Sequence, residues 1–178
     1  MIQKIGNSFD SWIEFKNTQF DEEFVKAIID YLFILGFEYN KKQTGAFSWQ
    51  WKTEKGEHKS ESFEESKLGE NHLENAVKKI LEGNTVSIKL DCQLESAYAD
   101  ILVFFHSGKN KKISFSLPEI YVKQNIAVLN AFKQKIEQFY SHFKEKYDIK
   151  FIEQKFPQGV IEHLSFKETD ALCELKNE

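Results

Sequence analysis

Residues 85–117 read TVSIKLDCQLESAYADILVFFHSGKNKKISFSL, and their alternation decides the fold. Val86, Ile88, Leu90, Cys92 and Leu94 alternate with Ser87, Lys89, Asp91, Gln93 and Glu95, the period-two pattern of a strand with one buried face. Residues 98–106 are apolar on both faces, as a central strand requires. Ile113, Phe115 and Leu117 form the inward face of a third strand. A Ser107-Gly108-Lys109 turn, with Gly108 in the left-handed conformation, sets them opposite Val103, Ile101 and Ala99. A slip of one residue would turn every apolar side chain outward, so that register is excluded. Turns this short cannot hold crossover helices, so the three strands are antiparallel.

Working outward, Phe9, Ser11, Ile13 and Phe15 alternate as a further strand. Thr18 and Asp21 resemble a capping box, with Phe20, Phe24, Ile28, Leu32 and Leu35 at helical spacing and Gly36 as a stop signal. A helix is expected at about 19–35. Phe47, Trp49 and Trp51 mark a strand with an aromatic face, followed by a charged loop at about 54–70. Leu73, Ala76, Val77 and Ile80 predict a helix at about 71–82. Leu129, Phe132, Ile136, Phe139, Phe143 and Tyr147 predict the longest helix, about 124–146. Ile149, Phe151 and Ile152 suggest a last strand.

The order β-α-β-α-β-β-β-α-β describes an α+β fold. It is a single domain over residues 1–156, a mainly antiparallel sheet with the long helix packed on one face. Residues 157–178 form a tail, packed on the domain or trailing from it. A length of 178 residues, 41% hydrophobic and 15% aromatic, suffices for one ordinary core.

All 24 basic residues are lysine. Without arginine the chain has no rigid two-pronged donor, so arginine fingers, bidentate guanine contacts and bidentate carboxylate clamps are excluded. Net charge is −4, against a nucleic-acid partner. The charge is uneven: residues 1–108 carry 12 Lys and 18 acids, and residues 109–155 carry 10 Lys and 5 acids. Cys92 and Cys173 form neither a disulfide framework nor a zinc motif, which fits a reducing cytoplasm. The first residues lack the apolar core of a signal peptide, and no apolar stretch is long enough to cross a bilayer.

Catalytic motifs are missing. The sequence has no GxGxxG, GxxxxGK[ST], GxSxG, CxxC or HExxH pattern. Cys92 reads inward and His106 outward, so they do not make a nucleophile pair. No cofactor is implied. Three candidate surfaces remain. With Ser96-Ala97 as a two-residue turn, Gln93 pairs with Asp100 and Glu95 with Tyr98, so Asp91, Glu95 and Asp100 share the face opposite the aliphatics. Three carboxylates can hold a hard cation or divide acid and base roles, or they are a solvated strand end beside Lys89. The acids Glu57, Glu61, Glu64, Glu65 and Glu70 can act as an electrostatic decoy for a basic cleft, or form a solvated loop. The Phe47, Trp49 and Trp51 face can stack rings or belong to the core.

These features favour a non-enzymatic, cytoplasmic bacterial protein that binds another protein. The specific form is an immunity-type inhibitor of a basic toxin or enzyme, with neither nucleic acid nor membrane as partner. The alternatives are a small-ligand binder with an aromatic-lined cavity between sheet and long helix, and a carboxylate-metal hydrolase using Asp91, Glu95 and Asp100.

Overall fold

In a computed structural model of the chain, residues 1–39, 47–52, 57–63, 72–108 and 111–152 are described. Their strands form one nine-stranded sheet in which every pairing is antiparallel. The strands are β1 (Gln3–Ile5), β2 (Ser8–Phe15), β3 (Phe37–Glu38), β4 (Phe47–Lys52), β5 (His58–Phe63), β6 (Thr85–Leu94), β7 (Ala97–His106), β8 (Lys111–Pro118) and β9 (Ile149–Phe151). The helices are α1 (Glu22–Ile34), α2 (His72–Leu81), α3 (Glu119–Gln124) and α4 (Ala127–Lys144). The architecture is the expected α+β class.

The order across the sheet is β1-β2-β8-β7-β6-β4-β5. Two columns are shared. β9 joins β1 along β2, and β3 joins β4 along β6. The N-terminal strand β2 thus lies beside β8, with Phe9 opposite Leu117 and Ile13 opposite Ile113.

Both hairpin registers differ from expectation, each by two residues. Leu94 pairs with Ala97, so the first turn is Glu95-Ser96 rather than Ser96-Ala97. Phe105 pairs with Ile113 and Val103 with Phe115. Gly108 is not in the left-handed region, so it does not play the turn role assigned to it. A two-residue shift keeps every side chain on its face, so the burial pattern fits either register and cannot choose between them. Residues 58–63, expected in the charged loop, form β5 and pair with β4. The remainder of that loop, and the tail from 153 onward, lie outside the described residues.

α1 starts later than expected because Asp21 is the cap itself. Its side chain accepts from the Phe24 backbone N–H at 2.8 Å, while Thr18 Oγ1 turns back to Lys16 O at 3.0 Å. Gly36, at φ +85°, ends the helix and turns the chain into β3. The Lys135 ammonium donates to Leu35 O at 2.5 Å there, supplying the positive charge that the last turn of α1 lacks. The segment expected to open the long helix is broken at Asn125, whose backbone is extended and whose side chain accepts from Ala127 N–H at 3.0 Å.

One face of the sheet carries the core. Ile13, Val86, Ile88, Leu90, Ile101, Val103, Phe105, Ile113 and Phe115 are buried with Phe24, Ile28 and Leu32 of α1, Val77 and Ile80 of α2, and Phe132, Ile136 and Phe139 of α4. Phenylalanine supplies much of this contact. Phe115 meets Phe139 edge-on at 5.1 Å, and Phe15 meets Phe24 at 5.1 Å. Each such ring contributes about 1.5–3 kcal/mol by leaving water. The opposite face is polar and partly covered, with Asp10, Ser87, Asp91 and Ser114 buried.

Candidate functional site

The site lies at the tip of the β6–β7 hairpin. Leu94 and Ala97 close the ladder, which leaves Glu95 and Ser96 to turn the chain. Glu95 takes a left-handed backbone at φ 49°, a conformation that costs a non-glycine residue about 1–2 kcal/mol. Gln93 Nε2 steadies the turn by donating to Glu95 O at 2.6 Å. Asn125 reaches over from the α3–α4 junction and donates to Ser96 Oγ at 3.2 Å. The tip is therefore held from within the hairpin and from the helices.

Behind the tip, three carboxylates cross three strands in one row. Glu38 on β3 is opposite Asp91 on β6, and Asp91 is opposite Asp100 on β7. Asp91 is 2% exposed, Asp100 half-buried and Glu38 exposed. Like charges directly opposite are unfavourable unless donors neutralise them. Tyr121, from α3, donates its hydroxyl to Asp100 Oδ1. Lys89 Nζ lies 3.5 Å from Asp100 Oδ2. Tyr98 donates to Glu38 Oε2 at 2.9 Å. Both phenols consequently hold their protons more tightly. The hydrogen bond to Glu38 raises Tyr98 above its ordinary value, while burial and then the bond to Asp100 raise Tyr121.

Large apolar side chains are exposed on the elements that meet here. Tyr98 is 54% exposed, Ile120 63% and Ile126 46%. Ile120 adjoins Tyr121 and Ile126 adjoins Asn125, the two residues that reach the hairpin.

The structure divides the expected acidic set. Asp91 and Asp100 meet directly, and Glu95 sits in the exposed turn of the same hairpin. Glu57 is exposed just before β5. Glu61 lies opposite Trp49, which lies opposite Val86, so its position belongs to the other face of the sheet. Glu64, Glu65 and Glu70 fall outside the described residues. By the same register, positions 47, 49 and 51 share the face of Val86 and Ile88, on which α2 packs. Glu38, Tyr98 and Tyr121 were missed by sequence reasoning. Two come from elements too short to show a period, and only Tyr98 could have been read, from its place beside the turn.

Among the described residues no group of three His, Cys, Asp or Glu side chains is arranged to hold a metal ion. Asp100 is already engaged by a phenol and an ammonium. Cys92 is buried on the core face, and burial raises its thiol. His106 lies on the other face against Ser114 Oγ at 3.1 Å, and burial lowers its pKa. Between sheet and α4, Phe139 lies 5.1 Å from Phe115 and 4.7 Å from Phe143, ring centre to ring centre. Among the described residues no helix is long and apolar enough to cross a membrane. Comparison with protein-family models, with curated proteins and with solved structures found no match.

Proposed function

We infer that this chain works by binding another protein, and that the hairpin tip is part of the docking surface. The supporting observation is the exposure of Tyr98, Ile120 and Ile126 on elements that also bring Glu38 and Asp100 to the hairpin, where Tyr98 donates to Glu38 and Tyr121 to Asp100. Aromatic and aliphatic anchors supply most of the energy of protein interfaces, and surrounding charge sets encounter rate and partner choice. An acidic rim selects a basic partner. In its specific form the reading is a toxin-neutralising protein of the bacterial cytoplasm, occupying the lysine- or arginine-rich cleft of its target.

The test is capture from host lysate on immobilised protein, at low and then moderate salt, beside the variants Tyr98→Ala and Ile120→Ala. The expected result is one basic, stoichiometric partner whose affinity falls by about tenfold or more in each variant and which salt releases. Capture that ignores both variants, or a partner that is not basic, sinks the reading.

A further inference from the structure

Among the described residues β5 is an edge of the sheet, paired with β4 on one side only. An edge strand offers a row of backbone donors and acceptors to another strand. We propose that two copies of this chain pair antiparallel through β5, centred on Ser60, and so join two sheets into one.

The argument rests on which registers the pleat allows. A two-fold axis perpendicular to the sheet leaves each face on its own side. Only registers in which residues of like parity meet therefore continue the sheet without inverting its faces. Positions 59, 61 and 63 lie opposite Trp51, Trp49 and Phe47, and Trp49 and Phe47 lie opposite Val86 and Ile88. Odd positions thus belong to the helix-bearing face, and even positions to the other.

Of the symmetric registers, those centred on Ser60 and Glu61 use five of the six residues of the strand His58–Phe63, and that centred on Lys59 uses three. Centred on Lys59, the pairing sets lysine against lysine across the axis. Centred on Glu61, it sets glutamate against glutamate. Centred on Ser60, it sets Lys59 against Glu61 twice, once on each side of the axis, with His58 opposite Ser62. Like charges directly opposite are destabilising and unlike ones stabilising, so the strand is self-complementary in one register alone. Lysine on an edge ordinarily discourages pairing. Here Glu61, two positions on, removes that obstacle for an identical copy. The proposal is independent of the hairpin tip, which lies at the far end of β6 from the segment that pairs with β4.

The experiment is sedimentation or light scattering over a concentration series, with far-ultraviolet circular dichroism to confirm folding. The wild type should move from the 20.9 kDa chain mass toward twice that mass. Glu61→Lys should raise the dissociation constant by about tenfold or more. Adding Lys59→Glu to Glu61→Lys should restore it, because the swap rebuilds both pairs. Ser60→Cys should cross-link to itself on mild oxidation, since position 60 faces its own copy on the axis, while Ser62→Cys should not. A wild type that stays at the single-chain mass up to millimolar concentration overturns the proposal. So does self-association that Glu61→Lys leaves unchanged, or cross-linking at position 62 in place of 60.

Discussion

Lys4 and Glu119 form an ion pair at 3.0 Å with side chains only 6% and 8% exposed, joining β1 to the first residue of α3. The same Glu119 oxygen accepts from Lys123 at 2.8 Å, and the Glu119 N–H donates to Asn7 O at 2.8 Å. A carboxylate at a helix start is well placed, yet the pair is buried, so its charges depend on each other. Glu119→Ala should lower unfolding free energy by about 1.5–3 kcal/mol, because it removes the carboxylate that Lys4 and Lys123 share. The double variant Lys4→Met with Glu119→Leu should recover most of that loss. Urea denaturation of the wild type and the two variants checks both statements.

Tyr98 and Tyr121 set the alkaline limit of the hairpin tip. Each phenol donates to a carboxylate and has its pKa raised in the folded state. Such a group contributes stability that is full below its unfolded pKa and is lost as pH rises through the folded one. Stability should therefore fall above about pH 10. The variant carrying Tyr98→Phe and Tyr121→Phe should be less stable at neutral pH and show a shallower alkaline decline. A thermal melt series across that range reads the slope.

Asp10 works in the opposite pH range. It is buried on the polar face, and burial raises its pKa despite the hydrogen bonds from Ser116 and Ser8. A carboxyl raised in this way is fully favourable only below its unfolded pKa, and ionisation costs stability as pH climbs through the folded value. Asp10→Asn should accordingly raise the melting temperature at neutral pH. The gain should disappear below about pH 4, where the wild-type carboxyl is protonated in both states.

Lys135 and Gly36 act on the same helix end. Lys135→Met removes the ammonium from Leu35 O and should cost about 1.5–3 kcal/mol. Gly36→Ala meets no obstruction, since its Cβ would lie 3.6 Å from Lys135 Nζ, but φ +85° alone should cost about 1–2 kcal/mol. Once α1 has frayed, neither contact remains to be lost. The double variant should lose less than the sum, as a double-mutant cycle would reveal.

The central strands were legible because Val86 through Leu94 state their period over nine residues, and a helix stripe such as Leu129 to Phe143 states its own. Boundaries and registers were less so. Shifts of two residues leave every face unchanged, and only the turn geometry at Glu95 separates them. β3 has two residues and no period to read. β5, His58 to Phe63, has a single large apolar residue and reads as loop, because an edge strand finds its stability in its neighbour. At the hairpin tip, Asp91 and Asp100 could be placed together from alternation. Glu38 and Tyr121 could not, since their approach depends on pairing and packing across 53 and 21 positions of chain.

β2 finds its partner β8 about a hundred residues further along the chain. On a ribosome adding roughly 5–20 residues per second, Phe9, Ile13 and Phe15 emerge about 5–20 seconds before the strand that will shelter them. The hairpins of β6, β7 and β8 need only their own turns and can close as they appear. Newborn chains thus spend that interval with a finished centre while β2 has only the short strand β1 beside it.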